Sequence, residues 1–452
     1  MKPTLSEAMK ARLADLCGDD RVKTALQVCV DEADRAMEEQ IHISEIESPT
    51  FAEGVRGEEI ARLLKEYGLT DVVIDPSGNV VGRRPGTGSG PVLAIAAHLD
   101  TVFPAGTNLK VRKEGHLYYG PGIGDNASGL RSMLQVLRAL EKAGIETDGD
   151  ILFVGTVGEE GNGDIRGAKA LFDGSRKIDG FMALDMADVF TVQNGATGAH
   201  RWRLAIEGEG GHSYLDYGHV PSAIHAMCRA GAMIADLDLP EDPKTTYTIG
   251  TIKGGTTVNT IAARCEVDVD MRSVDLPTLE ALEAKVLAAF EEAVRIENAH
   301  WPKADEAHQL KLVKTQIGNR PAGMRPADCP AVQAALGALD ALGIEARHVK
   351  CSSTDANQPM SLNIPAICVG TGGETLLLRQ REEDGAVERM LFTEQARYFI
   401  ALAGNGPLPP TQSSFFDYPL EKSDLTAQLR ENLAELQERH DAAQARLEAV
   451  EA

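Results

Sequence analysis

The sequence lacks most hallmarks of secreted and membrane proteins. Its seven cysteines form no Cys-x-x-Cys pair, which disfavours both a disulfide framework and a thiolate zinc site. It has no run of about 18 apolar residues, which argues against a membrane-spanning helix. The first residues lead into a charged segment without an apolar signal core. We therefore expect reduced thiols and a cytoplasmic protein.

Several catalytic and binding motifs are also missing. There is no Gly-x-Ser-x-Gly elbow for a serine hydrolase and no His-Glu-x-x-His helix for a thermolysin-like zinc site. The glycines at 120–124 fall short of a dinucleotide loop, because Ala127 occupies the place of its third glycine. The formal net charge of -23 argues against nucleic acid and anionic membranes as partners, since both repel an acidic protein.

The pattern of apolar residues predicts two main domains in this chain of 452 residues. After about Tyr67, β-like or apolar stretches at 72–81, 91–97, 151–157 and 180–184 alternate with helical segments. This order predicts an α/β domain with a mainly parallel sheet. Beyond residue 196 the order becomes β-α-β-β-α-β, with the last strand predicted over 310–317. This order is typical of a ferredoxin-like α+β domain, here an inserted lid. The predicted divisions are a catalytic domain at 1–196 and 319–405, a lid at 197–318, and a linker with a C-terminal helix at 406–452.

Acidic residues follow the ends of three predicted buried strands. Open α/β sheets place their sites at the carboxyl ends of such strands, so we expect these side chains to lie together. With one histidine they form a set of nitrogen and oxygen ligands that suits zinc or a similar divalent ion. Any one acidic residue is more often a solvated charge, but the shared placement favours a site. The potential ligands are His98, Asp125, Glu160 and Asp185, with Asp100 beside the histidine and Glu159 left free next to Glu160.

Together these residues and their surroundings resemble the zinc-dependent family of co-catalytic metallopeptidases that includes aminoacylases, carboxypeptidase G and tripeptide aminopeptidases. The resemblance is to its peptidase T-like branch and runs from about Ile41 to Gly373. The motifs that carry it are AHLDTV at 97–102, GIGDNASG at 122–129, VGEEG at 157–161, GGHS at 210–213, GGTTVN at 254–259, DMRS at 270–273 and STDAN at 353–357.

The resemblance implies a role for each site residue. His98 and Asp185 would bind one metal ion, Asp125 would bridge two ions, and Glu160 would bind the second. Glu159 would be the general base, with Asp100 orienting His98. In the lid, His212 would polarise the scissile carbonyl, and Asn259 and Arg272 would hold the substrate. A turn-forming role for Asn259 and a buried ion pair for Arg272 remain open as structural alternatives.

One ligand of the family pattern is missing. A histidine normally follows the C-terminal Gly-Gly, but residues 372–383 contain none, and the expected position falls within 376–380. His348 lies upstream of this segment and His440 in the tail. An oxygen donor could substitute, preserving a two-metal hydrolase. Alternatively, one metal could support altered chemistry, or the chain could bind a ligand without cleaving it. The candidate donors are Glu374, Glu382 and Glu383.

We therefore expect a metal-dependent hydrolase of a peptide or amide bond, with zinc, or else cobalt or manganese, as cofactor. The implied substrate is a small peptide or N-acyl amino acid, and the alternative is a family member with a lost second metal site. A homodimer is possible. The tail carries apolar residues at steps of four and three over about three heptads, which fits either an oligomer zipper or a helix docked on its own domain.

Overall fold

The computed structural model describes residues 4–115, 117–185, 189–301, 308–344, 346, 348–371, 376–378 and 387–391. Its helices are α1 (Glu7–Gly18), α2 (Asp20–Asp31), α3 (Ala33–Ser44), α4 (Gly54–Glu66), α5 (Ala127–Lys142), α6 (Arg166–Leu171), α7 (Ala223–Ala235), α8 (Leu276–His300), α9 (Pro330–Ala341) and α10 (Asn357–Ser361). In the described ranges, no helix is both long and apolar enough to cross a bilayer.

The strands fall into four sheets. They are β1 (Asp71–Ile74), β2 (Val80–Arg84), β3 (Leu93–His98), β4 (Arg112–Glu114), β5 (Leu117–Gly120), β6 (Ile151–Thr156), β7 (Gly180–Leu184), β8 (Thr191–Ala196), β9 (Gly198–Glu207), β10 (Gly211–His212), β11 (Thr245–Gly254), β12 (Thr260–Ile261), β13 (Arg264–Ser273), β14 (Lys311–Arg320), β15 (Gly323–Met324), β16 (His348–Ser352), β17 (Ala366–Val369), β18 (Leu376–Leu378) and β19 (Val387–Leu391).

A nine-stranded sheet organises the larger part of the molecule, in the order β1-β2-β6-β3-β7-β17-β8-β15, with β16 beside β8. The central strands β6, β3, β7 and β17 pair in parallel, and the flanking pairs β1–β2, β2–β6, β17–β8 and β15–β8 are antiparallel. Strands β6 and β17 are buried along their whole length, as expected of strands covered on both faces. The predicted α/β class is confirmed.

Helix α5 lies against this sheet and positions the residues before it. Asn126 caps the helix, accepting a hydrogen bond from the Gly129 N–H at 3.0 Å, and its amide donates to the Leu184 carbonyl at 2.8 Å. Every residue from Ala127 to Leu140 is buried. The turn that carries Asp125 is therefore fixed both to the helix and to the end of β7.

The inserted domain is a four-stranded antiparallel sheet in the order β11-β13-β9-β14, covered by α7 and α8. This is the predicted ferredoxin-like arrangement, in which the first and third strands are central. Its core is apolar and includes Met227, Val267 and Phe290. Asp275 caps α8 by accepting from the Thr278 N–H at 3.0 Å, and Pro277 occupies the first turn.

Most predicted elements match observed ones, with one notable difference. The β-like stretch predicted over 72–81 is an antiparallel hairpin of two strands, β1 and β2, in which Val73 faces Val81. Its turn is closed by the Asp75 side chain, which accepts from the N–H groups of Ser77 and Asn79. Gly78 has φ +98°, a conformation that favours glycine. The predicted C-terminal helix lies outside the described residues.

Candidate metal centre and active site

The predicted site residues converge at one edge of the large sheet. His98 is the last residue of β3, Glu159 and Glu160 follow β6, and Asp185 follows β7. Because β6, β3 and β7 are adjacent and parallel, their carboxyl ends meet. Asp125 joins them from the turn before α5. The order of the strands thus explains why residues up to 87 positions apart share one site.

His98 is the centre of this cluster and is 2% exposed. Its Nδ1 lies 2.9 Å from the carbonyl oxygen of Asp100, which can only accept, so Nδ1 carries the proton. Its Nε2 lies 2.9 Å from Oδ1 of Asp125. Burial alone would lower the pKa of His98, but the carboxylates of Asp100 and Asp125 raise it well above its usual value. This orientation presents Nε2 to the acidic side of the site, as a metal ligand requires.

Asp100 is fully buried and binds the backbone of the loop that carries Glu159 and Glu160. Its Oδ1 accepts from the Glu159 N–H and its Oδ2 from the Glu160 N–H, both at 2.9 Å. Oδ2 also accepts from the Thr50 hydroxyl at 2.9 Å. Burial raises the pKa of Asp100, but His98 and the two backbone N–H groups lower it to about 2. Asp100 therefore fixes the Glu159–Glu160 turn as well as the histidine, whose ring nitrogen is 3.5 Å from Oδ1.

Two groups of potential ligand atoms share His98. One comprises His98, Glu159 and Asp185, and the other His98, Asp125 and Glu160; within each group the ligand atoms lie within 4.8 Å of one another. Burial and the surrounding carboxylates, Asp125 in particular for Glu160, raise the pKa of both Glu159 and Glu160. A buried excess of negative charge of this kind is relieved by a divalent cation, so the residues present fit a metal.

Two buried residues behind Glu159 were not identified from the sequence. Arg320, the last residue of β14, donates from Nη1 to Oε1 of Glu159 at 2.9 Å. Asp355 accepts a hydrogen bond from the Thr156 hydroxyl. Burial first, and then the charge of Glu159, raise the pKa of Asp355 to about 7. Asp355 lies in the STDAN motif, which could have flagged it, but Arg320 lies three residues beyond the predicted end of its strand.

The predicted lid residues lie on two neighbouring loops and one strand. His212 is on β10, and its Nδ1 accepts from the Tyr214 N–H at 3.2 Å. Asn259 accepts from the Thr257 hydroxyl at 3.0 Å. A cleft of about 520 Å³ lies between their loops, lined by residues of 209–211, 255–256, 260–261 and 263–264. Neither His212 nor Asn259 lines this cleft, but the Ser213 N–H donates to the Asn259 carbonyl at 3.0 Å and so joins the two segments that carry them.

Arg272 on β13 forms an ion pair within the lid sheet. Its Nε donates to Oδ2 of Asp270 at 2.7 Å, and Asp270 also accepts from Arg201 at 2.8 Å through Oδ1. The side chain of Arg272 is 43% exposed, so it remains accessible. The Asp270 carboxylate holds both arginines on one face of the lid sheet.

The segment that would supply the missing histidine lies largely outside the described residues. Glu374, Glu382 and Glu383, as well as His440, lie outside the described residues. Only the backbone of β18 covers part of the expected position. None of the seven cysteines, all within the described residues, forms a disulfide, as predicted.

Known proteins resemble parts of this chain in sequence. A family model of the peptidase dimerisation domain, M20 type, matches residues 194–297, and one of peptidase family M28 matches residues 79–204. Carboxypeptidase G2 of a Pseudomonas species is 26% identical over 67% of this chain and 72% of its own length. The uncharacterized protein YqjE of Bacillus subtilis is 29% identical over 57% of this chain and 71% of its own.

Solved structures show the same architecture. A tripeptidase from Staphylococcus aureus superposes with a TM-score of 0.67 at 25% identity, covering 82% of this chain and 97% of that chain. The aminopeptidase PepT from Bacillus cereus gives a TM-score of 0.65 at 23% identity, covering 82% and 98%.

These matches show that the chain is similar to the M20 metallopeptidases. It is accordingly an enzyme of the metallopeptidase and amidohydrolase class, which hydrolyses peptide or amide bonds with the help of metal ions. The predicted family and the predicted two-part fold are confirmed. The roles of the individual site residues stay predictions.

Proposed function

We propose that this enzyme cleaves a small peptide or an N-acyl amino acid at a site holding two zinc-type ions. The observation that carries the proposal is the convergence of one histidine with four carboxylates in two ligand groups that share His98. In this proposal His98 and Asp185 would hold one ion and Glu160 the other, with Asp125 as a ligand shared between them. Bound divalent ions polarise the scissile carbonyl and make water more acidic.

Glu159 is the proposed general base. The residue is 6% exposed, and its carboxylate lies within 4.8 Å of the ligand atoms of His98 and Asp185. It would accept a proton from the attacking water and pass it to the departing amine. The bonds from Asp100 and Arg320 fix its backbone and its carboxylate. A base that is held in place loses little entropy in the transition state.

The lid residues are proposed to bind the substrate. His212 would donate a hydrogen bond to the oxyanion, and its ring is oriented by the bond from the Tyr214 N–H. Arg272 would bind the substrate carboxylate, a task that suits a planar guanidinium. Asn259 would bind the substrate backbone.

The class of substrate is supported by what the relatives share. Their names include a carboxypeptidase, a tripeptidase and a succinyl-diaminopimelate desuccinylase, all of which act on an amide bond in a small molecule. The match to a dimerisation domain over 194–297 supports a homodimer formed through the lid.

The test is a hydrolysis screen of wild-type enzyme and Glu159→Gln, both loaded with zinc or cobalt. Trialanine, N-acetylalanine and succinyl-diaminopimelate are suitable probes. We expect wild-type enzyme to cleave at least one of them and Glu159→Gln to lose about 10²–10⁴-fold in kcat while its metal content is unchanged. The exposed Glu146→Gln is the matched control and should keep full activity. A Glu159→Gln enzyme with wild-type turnover would remove Glu159 from the mechanism.

A further inference from the structure

We propose that Arg320 is a positioning residue that sets the orientation of the Glu159 carboxylate and ties it to the last strand of the lid. The inference rests on the proposed function, in which Glu159 is the base. Nothing in the sequence motifs pointed to Arg320, and its role follows from its contacts.

The guanidinium of Arg320 donates hydrogen bonds to both the side chain and the main chain of Glu159. Nη1 donates to Oε1 of Glu159 at 2.9 Å and to the Ser353 hydroxyl at 3.2 Å. Nη2 donates to the carbonyl oxygen of Glu159. Because one rigid planar group contacts both ends of the residue, rotation of the carboxylate would break the contact.

The burial of Arg320 favours this role over direct binding of substrate. The residue is 4% exposed, and both of its terminal nitrogens already have acceptors on Glu159. A substrate carboxylate would have to displace Glu159 to reach it. The more exposed Arg272 is better placed for that task.

The position of Arg320 in the fold links the base to the lid. It is the last residue of β14 and pairs with Ala199 of β9, where the chain leaves the lid for the large sheet. The loop after Glu160 is bound to the same two strands: Asp164 accepts from the Asn319 N–H at 2.9 Å, and the Gly161 carbonyl accepts from Arg201. The loop that carries the base is therefore attached to β9 and β14 at three points.

Asp355 completes the environment of Arg320. Its Oδ2 accepts from the Thr156 hydroxyl, whereas its Oδ1 and the Nε of Arg320 have no hydrogen-bond partner among the described residues. Asp355 and Glu159 are both buried beside this single cation. Removing the guanidinium would leave two buried carboxylates in mutual repulsion, which would drive the Glu159 side chain out of its place.

The first test is structural and uses zinc alone. Crystal structures of the full-length zinc-loaded enzyme are compared for wild type, Arg320→Met and the control Arg325→Met, whose guanidinium pairs with Asn363 at 2.6 Å. We expect the Glu159 carboxylate to move only in Arg320→Met, with His98, Asp125, Glu160 and Asp185 unchanged. A Glu159 side chain that keeps its orientation in Arg320→Met would overturn the proposal.

The second test is kinetic and uses whichever probe the wild-type enzyme cleaves. Arg320→Met should lose about 100-fold in kcat with KM changed less than about twofold, as expected when a base is misplaced. Guanidinium added to Arg320→Ala should restore part of kcat. A rise in KM at unchanged kcat would instead make Arg320 a substrate-binding residue.

These outcomes are distinguishable from failure of the proposed function. If wild type and Arg325→Met cleave no probe, the hydrolase assignment fails, while the zinc-loaded structures still decide the role of Arg320. Should Arg320→Met not fold, Arg320→Lys replaces it in both experiments. Lysine keeps the charge but can contact only one of the two Glu159 oxygens well, so kcat should again fall.

Discussion

The carboxylate of Asp100 accepts a hydrogen bond through Oδ1 from the backbone N–H of Glu159 at 2.9 Å. Oδ2 accepts in the same way from Glu160. One buried side chain thus holds the backbone of both the proposed base and a proposed metal ligand. Because an acceptor with several charge-assisted bonds is costly to remove, this relationship gives a direct prediction.

Asp100→Ala should lower the free energy of unfolding by about 3 kcal/mol, because two backbone N–H groups and the Thr50 hydroxyl lose their acceptor. Urea denaturation measures the change. Thr50→Val removes only one of the three bonds and should cost about 1 kcal/mol. A loss in Asp100→Ala no larger than that of Thr50→Val would contradict the assigned role.

The start of α5 should tolerate no side chain at Gly129. A Cβ there would lie 2.4 Å from the Leu184 carbonyl oxygen and 2.2 Å from Oδ1 of Asn126, so the helix and the turn carrying Asp125 would have to shift. Gly129→Ala should therefore destabilise the protein by about 2 kcal/mol. Gly54→Ala is the control, since nothing lies within 4 Å of its Cβ. Equal melting temperatures for the two variants would refute the prediction.

The sequence predicts much of this framework because local patterns determine it. The apolar run at 180–184 is β7 with the same bounds, and the acidic residues after β6 and β7 converge because parallel strands end together. The pairing of Arg320 with Glu159 joins residues 161 positions apart, and no local pattern specifies such a pair. The turn that divides β1 from β2 depends on hydrogen bonds from Asp75, which hydrophobic alternation does not register.

The Asp270–Arg272 pair should control substrate affinity. Arg272→Met is expected to raise KM by about 10- to 100-fold for a substrate with a free carboxylate, the loss of a charged hydrogen bond. Asp270→Asn should raise KM less, because it only loosens the arginine. Arg203→Met is the control, since Arg203 forms a similar ion pair with Asp268 on the same sheet. Steady-state kinetics with N-acetylalanine or trialanine separates the three, and equal effects in Arg203→Met and Arg272→Met would exclude a binding role.

Removing metal should destabilise the protein, because the buried carboxylates around His98 then repel one another. Chelation is expected to lower the melting temperature, and zinc at 100 times its Kd should restore about 2.7 kcal/mol. Differential scanning calorimetry measures both. His98→Ala should show a smaller zinc-dependent shift than wild type, since His98 is a proposed ligand of one of the two ions. A melting temperature of the wild-type protein that ignores chelator and zinc would speak against a metal centre.

The most direct measurement of the central claim is the number of metal ions per chain, determined by elemental mass spectrometry on protein purified without chelator. The proposed roles, with His98 and Asp185 at one ion, Glu160 at the other and Asp125 at both, predict about two ions in the wild-type enzyme. Asp125→Asn should hold fewer, because Asp125 is proposed to bind both. A wild-type enzyme that hydrolyses its substrate with one ion per chain, or with none, would contradict the two-ion account.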